Sequence, residues 1–208
     1  MTTNMLLSMI FVINPFKHKE VIMKYRVNVG DGLPQFKIKD QEGFEVTEED
    51  LIGSPLVLYF YPKDDTPGCT KEACEFRDRM DDLDKLNTLV VGVSPDTAES
   101  HQKFISKHKL NFTLLCDDNL DLAQKFDTLR EKVENGQTIK TPERTTFVID
   151  MDGIIRWIER PVNIEGHFDR VYQAVQKVVE DFEEGDIDFP IEIIKKIEKE
   201  SLEKKHDS

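Results

Sequence analysis

Positive charge is scarce in this sequence: 28 lysines and arginines stand against 41 aspartates and glutamates, a formal charge of −13. Phosphate backbones and anionic membrane surfaces both need a basic patch, so nucleic acid and membranes are set aside as partners. Long hydrophobic runs are missing too, and nothing approaches the ~20 apolar residues of a membrane span. Cysteine is limited to three residues, of which Cys69 and Cys74 are close neighbours and one is left over after any pairing. A secreted disulfide framework does not look like this. A reducing cytoplasm fits better, where paired thiols tend to be catalytic. No Cys/His spacing suggests a metal site; His101, His108 and His167 read as scattered over helix surfaces or turns.

What is present is a polar but foldable chain of 208 residues, 38% hydrophobic and 33% charged. That is enough for one domain with a real core plus extensions. Met5–Ile13 (MLLSMIFVI) is apolar, yet it lacks a basic leader and a small-residue cleavage site, and Pro15, Lys17, His18 and Lys19 follow directly. The domain is therefore expected over residues 23–184, with 1–22 an appendage or misplaced start and 185–208 a charged tail.

Periodicity supplies the order of elements. Phe36–Lys39 and Phe44–Val46 flank Asp40–Gly43 and predict a hairpin, followed by a short turn capped by Thr47. Pro55–Tyr61 (PLVLYFY) is a continuous apolar run, the pattern of a strand buried on both faces, and Thr88–Val93 is a second. Between them Ala73, Phe76, Met80, Leu83 and Leu86 keep helical spacing, predicting one helix from Pro67 to about Leu86. Asp96 is expected to cap a helix over Thr97–His108, and Asp118 or Asn119 another through Phe126. Thr145–Asp150 and Ile154–Glu159 flank Met151–Gly153 as a hairpin, and Phe168–Phe182 is a long amphipathic helix. Parallel crossovers first and an antiparallel pair later imply an α/β fold, a central mixed sheet with helices on both faces.

The chemistry concentrates in Tyr61-Pro-Lys-Asp-Asp-Thr-Pro-Gly-Cys69-Thr-Lys-Glu-Ala-Cys74. Thr66 reads as N-cap and Pro67 as the first helical residue, which puts Cys69 in the first turn. Free backbone N–H groups and the positive end of the helix dipole favour thiolate over thiol there. Asp64, Asp65 and Glu72 push the other way, and Arg144, just before the run TTFVID, is the candidate cation to offset them. Asp64 and Asp65 themselves read as solvated turn residues. A single cysteine is ordinarily a small buried hydrophobe, so spacing alone leaves that reading open beside a redox role.

Pro62-xxx-Thr66-xx-Cys69 resembles the active-site pattern of peroxiredoxins, and FYPKDDTPGCTKEACEFRD is similar to their bacterioferritin-comigratory, or Q-type, branch. The resemblance runs from about Tyr25 to Phe182 through VLYFYPKD, VVGVSPD and ERTTFVID. It implies a thioredoxin-like fold and a cofactor-free peroxidase acting on hydrogen peroxide and organic hydroperoxides. Cys69 matches the peroxidatic cysteine, Thr66 the hydroxyl that contacts its sulfur, Pro62 a shield over the thiolate and Arg144 the orienting guanidinium. Cys74 matches a resolving cysteine, implying an intramolecular disulfide, recycling by a thioredoxin-type reductant, and a monomer or weak homodimer. Cys116 falls where that branch usually has no cysteine and is expected to be structural. Two other readings stay open: a thiol–disulfide oxidoreductase, which would want C-x-x-C, and a non-catalytic chaperone or interaction module on the same fold.

Overall fold

The computed structural model describes residues 27–134 and 136–185, and it opens on the expected hairpin, β1 (Lys37–Asp40) against β2 (Glu45–Thr47). The assignments of residues 1–22 and of the tail beyond Gly185 lie outside the described residues. Thr47 leads into a single 3-10 turn over Glu48–Leu51, where the Asp50 carboxylate accepts from both the Thr47 N–H and its hydroxyl.

β3 (Leu56–Phe60) is buried along its whole length, because its side chains have an apolar layer on either side. Val57, Tyr59 and Tyr61 pack with α1 (Pro67–Asp78), α2 (Met80–Asp84) and α5 (His167–Glu183). Leu56, Leu58 and Phe60 pack on the opposite face with Leu122, Ala123 and Phe126, in and just after α4 (Asp121–Lys125). The period of two in the strand thus feeds two separate cores. β4 (Leu89–Ser94) lies parallel to β3, and β5 (Thr113–Cys116) parallel to β4, with α3 (Ala98–His108) crossing between them. β8 (Thr145–Ile149) and β9 (Ile155–Glu159) run antiparallel, giving a seven-stranded mixed sheet in the order β2-β1-β5-β4-β3-β8-β9. Gly92 in β4 is required by close packing, since a Cβ there would stand 2.7 Å from Leu114 Cδ2 and 2.8 Å from Tyr59 Oη.

Three local expectations are corrected, and one pair of strands is added. The single helix Pro67–Leu86 is two helices, broken at Arg79, whose backbone leaves the helical region at φ −117° and ψ 20°. Met80 and Leu83 still face the core beyond the break, so apolar periodicity alone passes over it. Arg79 lies at the break with its guanidinium 4.0 Å above the Phe168 ring and paired with Asp169 of α5. Thr97, not Asp96, caps α3; its hydroxyl accepts from the Ser100 N–H. At α4 the residue in the cap position is Leu120, while the Asp117 carboxylate accepts from the Leu122 and Ala123 N–H groups. The pair β6 (Leu129–Glu134) and β7 (Gln137–Pro142) forms a separate two-stranded sheet that hydrophobic patterning did not reveal, because its side chains are largely exposed. No helix among the described residues is long and apolar enough to cross a membrane.

Candidate active site

The parallel strands β3 and β4 end on one edge of the sheet, the edge at which open α/β folds place their chemistry. Beyond β3, residues 61–66 turn the chain into α1, with Thr66 in extended geometry at the cap and Pro67 at the first helical position. Cys69 is the third residue of that helix, within the turn whose N–H groups lack intrahelical partners. It is 1% exposed and packs with Tyr59, Tyr61 and Ala73.

Arg144 arrives from 75 positions away because of strand direction. β8 is antiparallel to β3 with Thr145 opposite Phe60, so the residue before β8 sits beside the strand end that leads to Cys69. Its Nη2 lies 3.2 Å from Cys69 Sγ, and its Nη1 donates to Glu72 Oε2. The Val162 N–H bonds the Arg144 carbonyl at 3.0 Å and fixes the backbone from which the guanidinium reaches. Gly68 leaves room for that reach: a Cβ there would stand 3.1 Å from Ile164 Cδ1 and 3.3 Å from Arg144 Nη2. Burial works against the charge of Arg144, but the Glu72 carboxylate and the Cys69 sulfur outweigh it and hold the guanidinium above its ordinary range.

Glu72, expected to disfavour the Cys69 thiolate, is a buried partner of Arg144. It is 1% exposed, and burial pushes its carboxyl from 4.5 up to about 7, with Arg144 pulling the other way. His167 Nδ1 lies 3.4 Å from Glu72 Oε1, and neither that oxygen nor His167 Nε2 has a hydrogen-bond partner among the described residues. Burial brings His167 down to about 4, so its ring is neutral near pH 7. The site therefore holds a sulfur, a guanidinium, a carboxyl poised near neutrality and an uncharged imidazole. Glu72 was legible in principle, since residues three apart on a helix share a face; nothing local pointed to His167.

The remaining predicted residues are placed as follows. Thr66 occupies the cap position, but its hydroxyl donates to the Lys63 carbonyl at 3.1 Å and does not cap the helix. Pro62 is half-buried in the bend after β3. Cys74 lies further along the same unbroken helix as Cys69, half-buried, and both thiols are free. Cys116 ends β5, donates to the Asp40 carbonyl at 3.4 Å, and is pushed up to about 11 by burial and by surrounding carboxylates, Asp118 first. That disfavours its thiolate. Asp64, His101 and His167 are buried and not solvated, because α3 and α5 close over the loop and the sheet edge.

Residues 29–158 match the model of the AhpC/TSA family. The chain belongs to that family. Among curated relatives it is 40% identical over 154 residues to peroxiredoxin Bcp of Bacillus subtilis, covering 74% of this chain and 98% of the relative. It is 39% identical over 145 residues to peroxiredoxin Bcp of Escherichia coli, covering 70% and 93%. Among solved structures, the bacterioferritin comigratory protein of Xanthomonas campestris superposes with a TM-score of 0.66 at 33% identity, over 69% of this chain and 92% of that one. The mixed sheet is thus the thioredoxin-like sheet of a peroxiredoxin, and the class of activity is that of a thiol peroxidase.

Proposed function

We propose that this peroxiredoxin reduces hydrogen peroxide and organic hydroperoxides through Cys69. The observation that carries the reading is the guanidinium of Arg144 at 3.2 Å from a sulfur held in the first turn of a helix. The Cys69 thiolate attacks one peroxide oxygen; an S–O bond forms as the O–O bond breaks, and the departing oxygen takes a proton to leave as water or an alcohol. Charge grows on that oxygen, where Arg144 and backbone N–H groups of the first turn are the available donors, joined by the Thr66 hydroxyl once it releases the Lys63 carbonyl. Pro62 shields the sulfur from bulk water.

Cys74 then attacks the Cys69 sulfenic acid, water leaves, and a disulfide joins the two. A thioredoxin-type dithiol restores both by exchange and is itself oxidised. No cofactor takes part. The protein works in the cytoplasm as a monomer or weak homodimer, without nucleic acid or membrane.

The test is peroxide consumption with thioredoxin and its reductase, comparing wild type with Cys69→Ser. Turnover is expected to vanish in the variant with the fold retained, since volume is nearly kept and the nucleophile is lost. A tenth of the wild-type rate remaining would overturn the assignment.

A further inference from the structure

Asp64, two residues after Pro62 and two before Thr66, is buried in the loop that delivers Cys69. Its carboxylate accepts from Tyr61 Oη at 2.8 Å and from Ser100 Oγ at 2.7 Å. His101 Nδ1 stands 3.2 and 3.0 Å from the two carboxylate oxygens, and His101 is wholly buried. The other ring nitrogen, Nε2, lies 3.2 Å from the Leu115 carbonyl in β5. A carbonyl oxygen only accepts, so Nε2 carries a proton, and Nδ1 faces the Asp64 carboxyl group. The two side chains form a buried, directly hydrogen-bonded pair.

The attachment continues through the backbone. The Asp64 N–H donates to Asp96 Oδ2 at 2.8 Å, and the same oxygen accepts from Ser94 Oγ at 2.7 Å. One loop residue is thereby tied to the end of β4, to α3 and, through His101, to β5. The neighbouring Asp65 is also bound to α3, by Lys107 at 2.5 Å and His108 at 2.8 Å, but at the surface, where ion pairs contribute little.

We infer that Asp64 and His101 are positioning residues for the peroxidase reaction: their buried hydrogen bonds fix the Pro62–Thr66 loop to α3 and β5 and so set where the first turn of α1 presents Cys69 to Arg144 and the peroxide. The inference rests on Cys69 being the nucleophile. The physical need is plain: the thiolate must lie in line with the O–O bond, and displacement of about 1 Å costs as much as ~10²-fold in rate. The pair touches neither sulfur nor guanidinium. It acts through the loop.

The experiment compares Asp64→Asn with Asp65→Asn in the full chain, measuring two reactions of Cys69: with hydrogen peroxide, and with iodoacetamide at a pH where the thiol is ionised. Iodoacetamide needs the thiolate but no in-line donors. Asp64→Asn is expected to slow the peroxide step at least about tenfold, while alkylation changes less than about threefold and Asp65→Asn leaves both within about twofold. Equal slowing of both reactions in Asp64→Asn would mean general loosening and would overturn positioning, as would an unchanged peroxide rate. Loss of all peroxide reaction only in Cys69→Ser, with Asp64→Asn at wild-type rate, would sink the pair and spare the nucleophile. Should Asp64→Asn fail to fold, Ser100→Ala, which removes one hydrogen bond to the Asp64 carboxyl, decides: slowing of the peroxide step with alkylation unchanged supports positioning, and equal slowing of both or of neither overturns it.

Discussion

Arg144 divides its guanidinium between Cys69 and Glu72, with Nη2 3.2 Å from the sulfur and Nη1 donating to the carboxylate. Sulfur and carboxylate therefore compete for one half-buried cation, and the ionisation of Glu72 bears on the reactivity of Cys69. Replacing Glu72 by Gln removes the competing anion and keeps its shape. Alkylation of Cys69 in that variant is expected to proceed at lower pH than in wild type, because a cation less neutralised favours the thiolate more. An unmoved or upward-shifted profile would show that Glu72 serves only to aim the guanidinium.

Arg144→Ala is expected to slow the peroxide step by about 10²–10³-fold, the loss typical of removing one donor from a developing oxyanion. Alkylation of Cys69 should require higher pH, since the cation at the sulfur is gone. Arg144→Lys should recover only part of the rate, because an ammonium has no planar fork to serve sulfur and carboxylate together. Stopped-flow oxidation of the three proteins measures this, and a lysine variant equal to wild type would refute the fork.

Much of this site was legible in one dimension, and what was missed shares a cause. Cys69, Thr66 and Pro67 form a local pattern in which cap, first turn and thiol follow from adjacent residues. Arg144 was found because it precedes a buried strand, and register then did the rest. Asp64, His101 and His167 were misread because a polar residue in a turn or on a helix is ordinarily solvated, whereas here elements distant in sequence close over it. The break at Arg79 and the β6–β7 pair were likewise invisible to apolar periodicity, one hidden inside it and the other lacking it.

The two titrating groups beside Arg144 act on stability in opposite directions. Glu72 is raised from 4.5 to about 7, so its contribution is full below pH 4.5 and is lost as pH rises through about 7. His167 is lowered from 6.5 to about 4, so its contribution is full above pH 6.5 and is lost as pH falls through about 4. The two slopes oppose each other over their shared window, so urea unfolding of wild type should be nearly flat between about pH 4.5 and 6.5. His167→Gln should unmask a decline of about 1–3 kcal/mol as pH rises from 4.5 to 7, and Glu72→Gln should unmask the loss as pH falls from 6.5 to 4. Identical curves for Glu72→Gln and wild type would contradict the buried carboxyl.

If Cys74 resolves Cys69 as proposed, α1 must open. Cys69 and Cys74 share the unbroken helix Pro67–Asp78, and five residues of regular helix give a rise of about 7.5 Å and a turn of about 140°. With Cα atoms ~2.3 Å from the axis, the two Cα atoms stand roughly 8.6 Å apart. A disulfide needs about 4.4–6.8 Å, so the bond cannot form while the helix is intact. On that proposal the first turns unwind in each cycle, and Gly68 beside Cys69 weakens the turn that has to let go. The neighbours of that segment suggest where unwinding stops: Asp64 is bound to α3 and β5 on one side, and at the break on the other Arg79 is paired with Asp169. Such unwinding would also take the helix N-terminus away from the sulfur, leaving the peroxide-reactive site to the reduced protein alone. Hydrogen exchange on the reduced and disulfide forms should show protection of amides 70–78 lost on oxidation, with the amides of β3 and α5 unchanged. Equal protection of amides 70–78 in both forms would sink the mechanism, as would mass spectrometry finding Cys69 joined to Cys116.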